Sequence, residues 1–462
     1  MQKSFINAAL MGLAVMALPV NALEKPKTIE DMWKIIQTQQ QEIEALKAQA
    51  TKAAATQTGA GNGDVKTLER KTDVLSAELE KLRTNLVIPE ETKYKSSYGL
   101  GPAASKIYSV GKGLSIGGYG EGNYQAIVGE KGSQKDNVDL ERLVLYAGYK
   151  FTDNILFNSE IEFEHATTGE GAEEEGEVSV EFAALDFFID PVANVRAGLV
   201  LLPIGFINLI HEPPFFFGNN RPEVERNIIP STFREYGIGL FGQLTPELTY
   251  TAYVVGGLDA KQFTSGSGIR GGRGGGSQAL AEDFAFVGRL DYSPLAIPGL
   301  TVGGSAYVGK SGQNQTFAGQ QVDALVQLYE GHVQWKYRGL EFRALGAKGH
   351  IDDAGVLSAD LGETIGAENF GWYTELGYDI LPLVFSDTTQ YLAPFVRYEN
   401  YDTVSRAPAG FADDQTRDRQ IYQIGLQYKP IPNVVVKADY RNRVAKQGPL
   451  SDDFNLGFGF IF

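Results

Sequence analysis

The chain has 462 residues, with 41 Lys or Arg against 57 Asp or Glu and a formal charge of −16, a balance that argues against a nucleic-acid partner, which wants a basic face. It contains no cysteine, which excludes disulfides, thiolate metal sites and a cysteine nucleophile, and its four histidines, His165, His211, His332 and His350, are too few and too scattered for a histidine-rich metal centre. Glycine (54), tyrosine (22) and phenylalanine (26) are abundant instead, the composition of an all-β chain with tight turns.

At the N-terminus Lys3 precedes a mostly apolar stretch from Ile6 to Val20 and a small residue, Ala22. Residues 1–22 therefore read as a secretory signal peptide. No later run of about twenty apolar residues exists, so helical membrane spans are ruled out. Over residues 23–90 apolar side chains fall at heptad spacing. Ile29, Ile36, Ile43 and Ala50 form one seam with Met32, Gln39 and Leu46; Val65, Thr72, Leu79 and Leu86 form a second with Leu68, Leu75 and Leu82. A period of 3.5 holds these residues on one stripe that must be buried against a partner, and Ile at one seam position favours three strands. Both an oligomeric coiled coil and a hairpin of the two helices within one chain satisfy the pattern. Residues 91–112 read as a polar linker.

From Gly113 the period changes to 2. Phe454, Leu456, Phe458, Phe460 and Phe462 alternate with smaller residues, and Val434, Val436, Ala438 and Tyr440 alternate with Lys437, Asp439 and Arg441. About sixteen such segments follow one another, each of roughly the ten residues that a tilted strand needs to cross a bilayer. Short turns (Thr152-Asp153, Asp190-Pro191, Thr245-Pro246, Arg338-Gly339) alternate with long polar loops. The expected fold is all-β: an antiparallel transmembrane β-barrel of about 16 strands over residues 113–462, with an N-terminal α-helical coiled coil. Lipid offers no hydrogen-bond partner, so the ring must close; at this strand number the lumen can hold water.

Two features bear on what passes through. Residues 203–233, the third long loop, carry five prolines and the triplet Phe215-Phe216-Phe217, too apolar to sit comfortably in solvent. The loop is expected to fold inward and narrow the pore, with His211, Arg221, Glu223, Glu225 and Arg226, and Arg234 just beyond it, screening solutes. Strand parity then places Arg142, Glu160, Glu162, Arg196, Arg289, Arg397, Lys437 and Arg441 on the lumen face, hydrated by pore water. Glu160, Glu162, Glu164 and the loop glutamates 170–177 suggest an acidic arc; Arg397, Arg419, Lys437, Arg441 and Arg443 suggest a basic one, together focusing a field across the lumen. The glycine cluster from Gly271 to Gly276 lacks the Lys-Ser/Thr of a phosphate cradle and reads as a flexible loop tip. The run from Gly117 to Gly122 sits inside an alternating strand, where a dinucleotide fingerprint has no meaning.

The stretches "LSIGGYGEGNYQ" (114–125), "ERLVLYAGYKFTDNILFNSEIEFEHA" (141–166) and "VRAGLVLLPIGFINLIHEPPFFFGNNRPEVERNIIPSTFREYGIGLFG" (195–242) resemble the phosphate-selective porin O/P family. The resemblance implies a homotrimeric sixteen-stranded channel in the outer membrane of a Gram-negative bacterium, its third loop helping to form the constriction, with a periplasmic coiled coil in some members. The expected activity is passive diffusion of small hydrophilic solutes, anions such as phosphate among them, with no cofactor, no metal and no catalysis. The partners are then outer-membrane lipid, solute and two further copies of the chain. The alternative is a structural tether, in which the barrel anchors a coiled coil that grips peptidoglycan.

Overall fold

A computed structural model describes residues 95–129, 134–167 and 176–462. The expected signal peptide (1–22) and coiled coil (23–90) lie outside the described residues, as do Glu170, Glu173, Glu174 and Glu175. The described residues form one compact unit.

Its strands are β1 (Gly113–Val128), β2 (Asn137–Lys150), β3 (Ile155–Glu164), β4 (Val178–Asp190), β5 (Ala193–Leu201), β6 (Arg234–Thr245), β7 (Leu248–Gly256), β8 (Phe284–Tyr292) and β9 (Leu300–Gly309). After a small hairpin, β10 (Thr316–Phe317) and β11 (Gln320–Gln321), come β12 (Val326–Tyr337), β13 (Leu340–Ile351), β14 (Glu368–Tyr378), β15 (Tyr391–Arg406), β16 (Asp418–Ile431), β17 (Val434–Ala445) and β18 (Asp452–Ile461). Apart from the β10–β11 hairpin, the strands pair with their chain neighbours into a closed antiparallel barrel of sixteen. β1 closes the ring on β18 with Tyr119 opposite Ile461 and Ala126 opposite Phe454. Among the described residues, three short α-helices lie in segments that are not part of the sheet: α1 (Lys106–Ser109), α2 (Val224–Asn227) and α3 (Ala354–Leu361).

Both ends of the ring's chain, the start of β1 and the end of β18, lie at the end that carries the tight turns. At one of these turns Arg338 and Gly339 take φ of 48° and 85°, the doubly positive geometry that suits the twist of a two-residue hairpin. The longest connections project from the other end, although residues 379–390 between β14 and β15 make a longer link at the tight-turn end. Period-2 patterning sets the two faces. Leu145, Ile238, Val254, Phe286, Val396, Ile424 and Leu456 are exposed on the outside, while Glu160, Asp453 and Asn455 inside are fully enclosed. Along β1 the outward glycines are covered by the aromatic rings of β18: a Cβ at Gly118 would come within 2.7 Å of the Phe462 ring, and one at Gly120 within 2.8 Å of Phe460. The glycine run 117–122 thus belongs to a strand and to the closing seam.

Three expectations need correction. The interior is not uniformly wet: residues of the third to sixth long loops, among them Ile228, Phe233, Leu258, Phe263, Phe317 and Leu357, pack with Tyr253, Val255, Tyr307, Val326 and Leu345 of the wall into a buried apolar cluster. Residues 95–112 are not a free linker. Leu100, Ala103, Ala104 and Ile107 are buried, and the side chain of Asn158 on β3 donates to the Ala104 carbonyl at 3.0 Å. The small side chains of this segment, which read as featureless in sequence, are what fit inside a barrel mouth. Gly271 to Gly276 are not a loose tip either: Arg270–Gly272 form a 3-10 turn, and Gly274 N donates to the Glu235 carboxylate at 2.8 Å.

Candidate functional site

The third long loop (202–233) is folded into the barrel, and the residues that hold it there can be followed round the wall. Its two feet are joined by Leu202 N, which donates to Phe233 O at 2.8 Å, and by Asn208, whose amide accepts from Phe233 N at 2.6 Å and donates to Leu202 O at 2.6 Å. Farther in, the Glu225 carboxylate accepts from Phe206 N (2.8 Å), Ile207 N (2.7 Å) and the Tyr373 hydroxyl on β14 (2.6 Å). It ties one limb of the loop to the other and both to the wall.

An irregular loop inside a barrel has carbonyl oxygens with no ladder partner, and each buried one needs a donor. Cationic side chains of the wall supply them. Arg289 donates to Gly205 O at 2.5 Å, Arg397 to Phe217 O at 2.6 Å and Asn220 O at 3.2 Å, Lys437 to Gly218 O at 2.8 Å, and Arg343 to Phe215 O. Charge assistance makes these stronger than ordinary amide bonds. Apolar contacts complete the seat: Phe217 stacks on Phe395 with centroids 5.0 Å apart, and the Lys437 ammonium lies 3.6 Å from the centre of the Phe216 ring.

The expected lumen charges all face inward, but they are enclosed rather than hydrated. Arg142 lies against Glu121 (3.0 Å), Glu141 (2.5 Å) and Glu162 (3.3 Å). Arg196 pairs with Asp186 (2.7 Å), Arg289 with Asp291 (2.7 Å), Arg397 with Glu375 (2.8 Å) and Arg441 with Asp453 (2.6 Å). The expected division into an acidic and a basic arc therefore dissolves into local pairs. The folded loop encloses these groups, and most of the arginines among them are matched by a carboxylate neighbour.

Cations without such partners gather beside some of these pairs, under the long loops. A cavity of about 490 Å³ is lined by Arg142, Arg221, Arg226, Arg270, Arg441 and Arg443, with Asp139, Glu141, Glu164 and Glu223 interspersed. A smaller one of about 230 Å³ shares Glu223, Arg226, Arg270 and Arg443 with it and adds Arg419. A third of about 390 Å³ shares Arg270 and is lined by Arg234 and Arg273. Among the described residues Arg221, Arg226, Arg270, Arg273 and Arg419 enter no ion pair, and Arg221 keeps Nε and Nη2 buried without an acceptor. Burial, with Arg273, Arg226 and Arg221 around it, pushes the Arg270 guanidinium down to about 9, as expected of a cation enclosed among like charges. Burial alone would raise the Glu223 carboxyl, but Arg443 and Arg441 overcome it and hold it below the ordinary carboxylate range.

Of the six expected loop and post-loop residues, Arg221, Glu223 and Arg226 line these cavities, and Arg234 lines the third. Glu225 serves the loop's own backbone. His211 is buried against Glu160 and Glu181 on the wall. Sequence reasoning missed Arg270 and Arg273, which the fourth long loop (257–283) brings in. Arg273 donates to Ser231 O at 2.5 Å and Thr232 O at 3.2 Å, fastening the fourth loop to the third. Two arginines among the glycines of a strongly acidic chain were the available signal.

No family model matches the chain. An uncharacterised protein of Aquifex aeolicus (strain VF5) is 39% identical over 395 residues, which cover 83% of this chain and 87% of that one. Among solved structures, OmpF of Salmonella typhi in complex with daunomycin is similar with a TM-score of 0.53 and 14% identity over 77% of this chain and 99% of that one. The outer membrane channel DcaP of Acinetobacter baumannii gives a TM-score of 0.49 and 16% identity over 76% of this chain and 97% of that one. The first of these two likenesses agrees with the sixteen-stranded closed barrel described above.

Proposed function

The chain belongs to the family of the Aquifex aeolicus protein, and from the barrel that this family member forms we propose a trimeric porin of the outer membrane, passing small hydrophilic anions, phosphate among them, by diffusion. The observation that carries the reading is the group of arginines without carboxylate partners under the long loops. A chain with 57 acidic residues had ample means to neutralise them, as it neutralises Arg397 and Arg441. A guanidinium presents a planar fork of donors that suits phosphate and carboxylate oxygens. Several of them around a small cavity would raise the local concentration of anions and replace part of their hydration, weakly enough at each contact to let the ion go.

The outward apolar face and the closed ring suit a bilayer, because no strand edge is left to lipid. The signal peptide over 1–22 would bring the chain across the inner membrane. The heptads of 23–90 would then join three copies on the periplasmic side, where the tight turns would also lie. The resemblance of residues 195–242 to phosphate-selective porins supports phosphate as a solute. The full chain in planar bilayers, under a tenfold potassium chloride gradient, should show a reversal potential of the anion-selective sign. Arg221→Ala combined with Arg226→Ala should move it at least halfway toward zero. A cation-selective wild-type channel, or no channel, overturns the proposal.

A further inference from the structure

One buried cluster takes no part in the arginine-lined cavity. His211, early in the third loop, meets Glu160 on β3 and Glu181 on β4, with one donor atom of each within 4.8 Å of the others. His211 Nε2 is 3.0 Å from Glu160 Oε1 and 3.5 Å from Glu181 Oε2, and the three side chains are 2%, 0% and 0% exposed. On the far side of the ring, His211 Nδ1 lies 3.3 Å from the carbonyl of Ile207. A carbonyl only accepts, so Nδ1 carries the hydrogen, and in the neutral imidazole Nε2 presents a lone pair.

That lone pair points at two carboxylates. Glu160 Oε2 and Glu181 Oε2 are buried and accept no hydrogen bond. The remaining oxygens are only lightly engaged, Glu160 Oε1 by the Tyr146 hydroxyl at 3.3 Å and Glu181 Oε1 by Arg234 at 3.3 Å. Buried electron-rich atoms do not face each other at these separations unless something positive lies between them.

We propose that His211, Glu160 and Glu181 bind a first-row divalent cation, of which zinc is the type, and so fasten the third loop to the wall at β3 and β4. Nitrogen and carboxylate ligands sit about 2.0–2.2 Å from zinc, which places neighbouring donors roughly 3.0–3.5 Å apart, the spacing of His211 Nε2 from each carboxylate, with the three donors within 4.8 Å of one another. The bond from Nδ1–H to a backbone carbonyl is the usual second contact of a metal-binding histidine; it fixes the tautomer and makes Nε2 more basic. Arg234 takes only one oxygen of Glu181 and leaves the other for the cation. A water in the remaining position would complete four-coordination.

The competing arrangement is a proton held between His211 and the carboxylates, on Nε2 or on a glutamate oxygen, and metal content separates it from the cation without reference to conduction. The full-length chain, folded in detergent, is equilibrated with excess zinc, freed of unbound ion by gel filtration and assayed for metal. About one zinc per chain is expected, falling at least fivefold in His211→Ala and in Glu181→Gln, each shown to be folded by its heat-modifiable gel mobility. No zinc on the wild type, or an equal amount on a folded Glu181→Gln variant, overturns the site. If neither variant folds, cobalt on the wild type decides. A visible absorption band at one equivalent supports imidazole and carboxylate ligation; its absence contradicts it.

Discussion

Arg397 shows what parity can and cannot tell. Alternation along β15 places it on the inner face, and the structure agrees. What parity cannot supply is the Glu375 carboxylate on the neighbouring strand and the Phe217 and Asn220 carbonyls of a loop far away in sequence, so a residue read as lining water turns out to hold the loop. The same holds for Lys437 and Arg289. Arg221 and Arg226 have no such partners and remain the exposed chemistry. Glu223 stands between the two groups, close to Arg443 (3.2 Å) and Arg441 (3.7 Å) and accepting from the Tyr401 hydroxyl at 2.5 Å. Its carboxyl is held below the ordinary range, so its ionised form contributes stability above its unfolded value, and that contribution is lost as pH falls through the depressed one. Protonation also removes the nearer carboxylate partner of Arg443. Lowering the pH from 7 to 3 should therefore increase the anion preference read from the reversal potential while reducing thermal stability. Glu223→Gln should show most of that increase already at pH 7; a variant indistinguishable from wild type at pH 7 would remove Glu223 from the permeation path.

At the scale of elements, the third loop was legible as something other than a surface loop, because its length and the Phe215–Phe217 triplet fit poorly in solvent. Its anchoring was not legible, since the donors come from strands whose order around the ring had first to be known. The fourth loop was misread. Glycines suggested mobility, yet here they let the backbone pass close to other chain segments, as at Gly271, where a Cβ would lie 2.2 Å from Gln262 O. Likewise the segment 95–112 has no period to betray that it is buried. Because Arg273 supplies the bonds to Ser231 and Thr232, Arg273→Ala should leave the barrel intact but cost the loop pair about 1–2 kcal/mol. The expected signs are faster proteolysis of the fourth loop and a noisier single-channel current, with an unchanged heat-modifiable gel shift. A quiet current and protease resistance equal to wild type would show that the fourth loop is held by its apolar contacts alone.

For the molecule as a whole, the closed ring followed from three sequence properties acting together: a period of two, segments of bilayer length, and short turns alternating with long loops. Lipid enforces closure, so the strand count and the return of both ends to one side were readable. The state of the interior was not. The same loops that project from one end fold back to make a dry cluster beside β7 to β13 and leave arginine-lined cavities near β1 to β3, β16 and β17, and only the packing of residues distant in sequence decides which side is which. The account rests on ions crossing that arginine-lined space. Because the chain has no cysteine, Arg226→Cys creates a unique thiol within it, and an anionic thiosulfonate added to the variant in planar bilayers tests the path directly. The account predicts a fall in conductance of at least half and a reversal potential shifted away from anions; unchanged conductance after labelling confirmed by mass would contradict it.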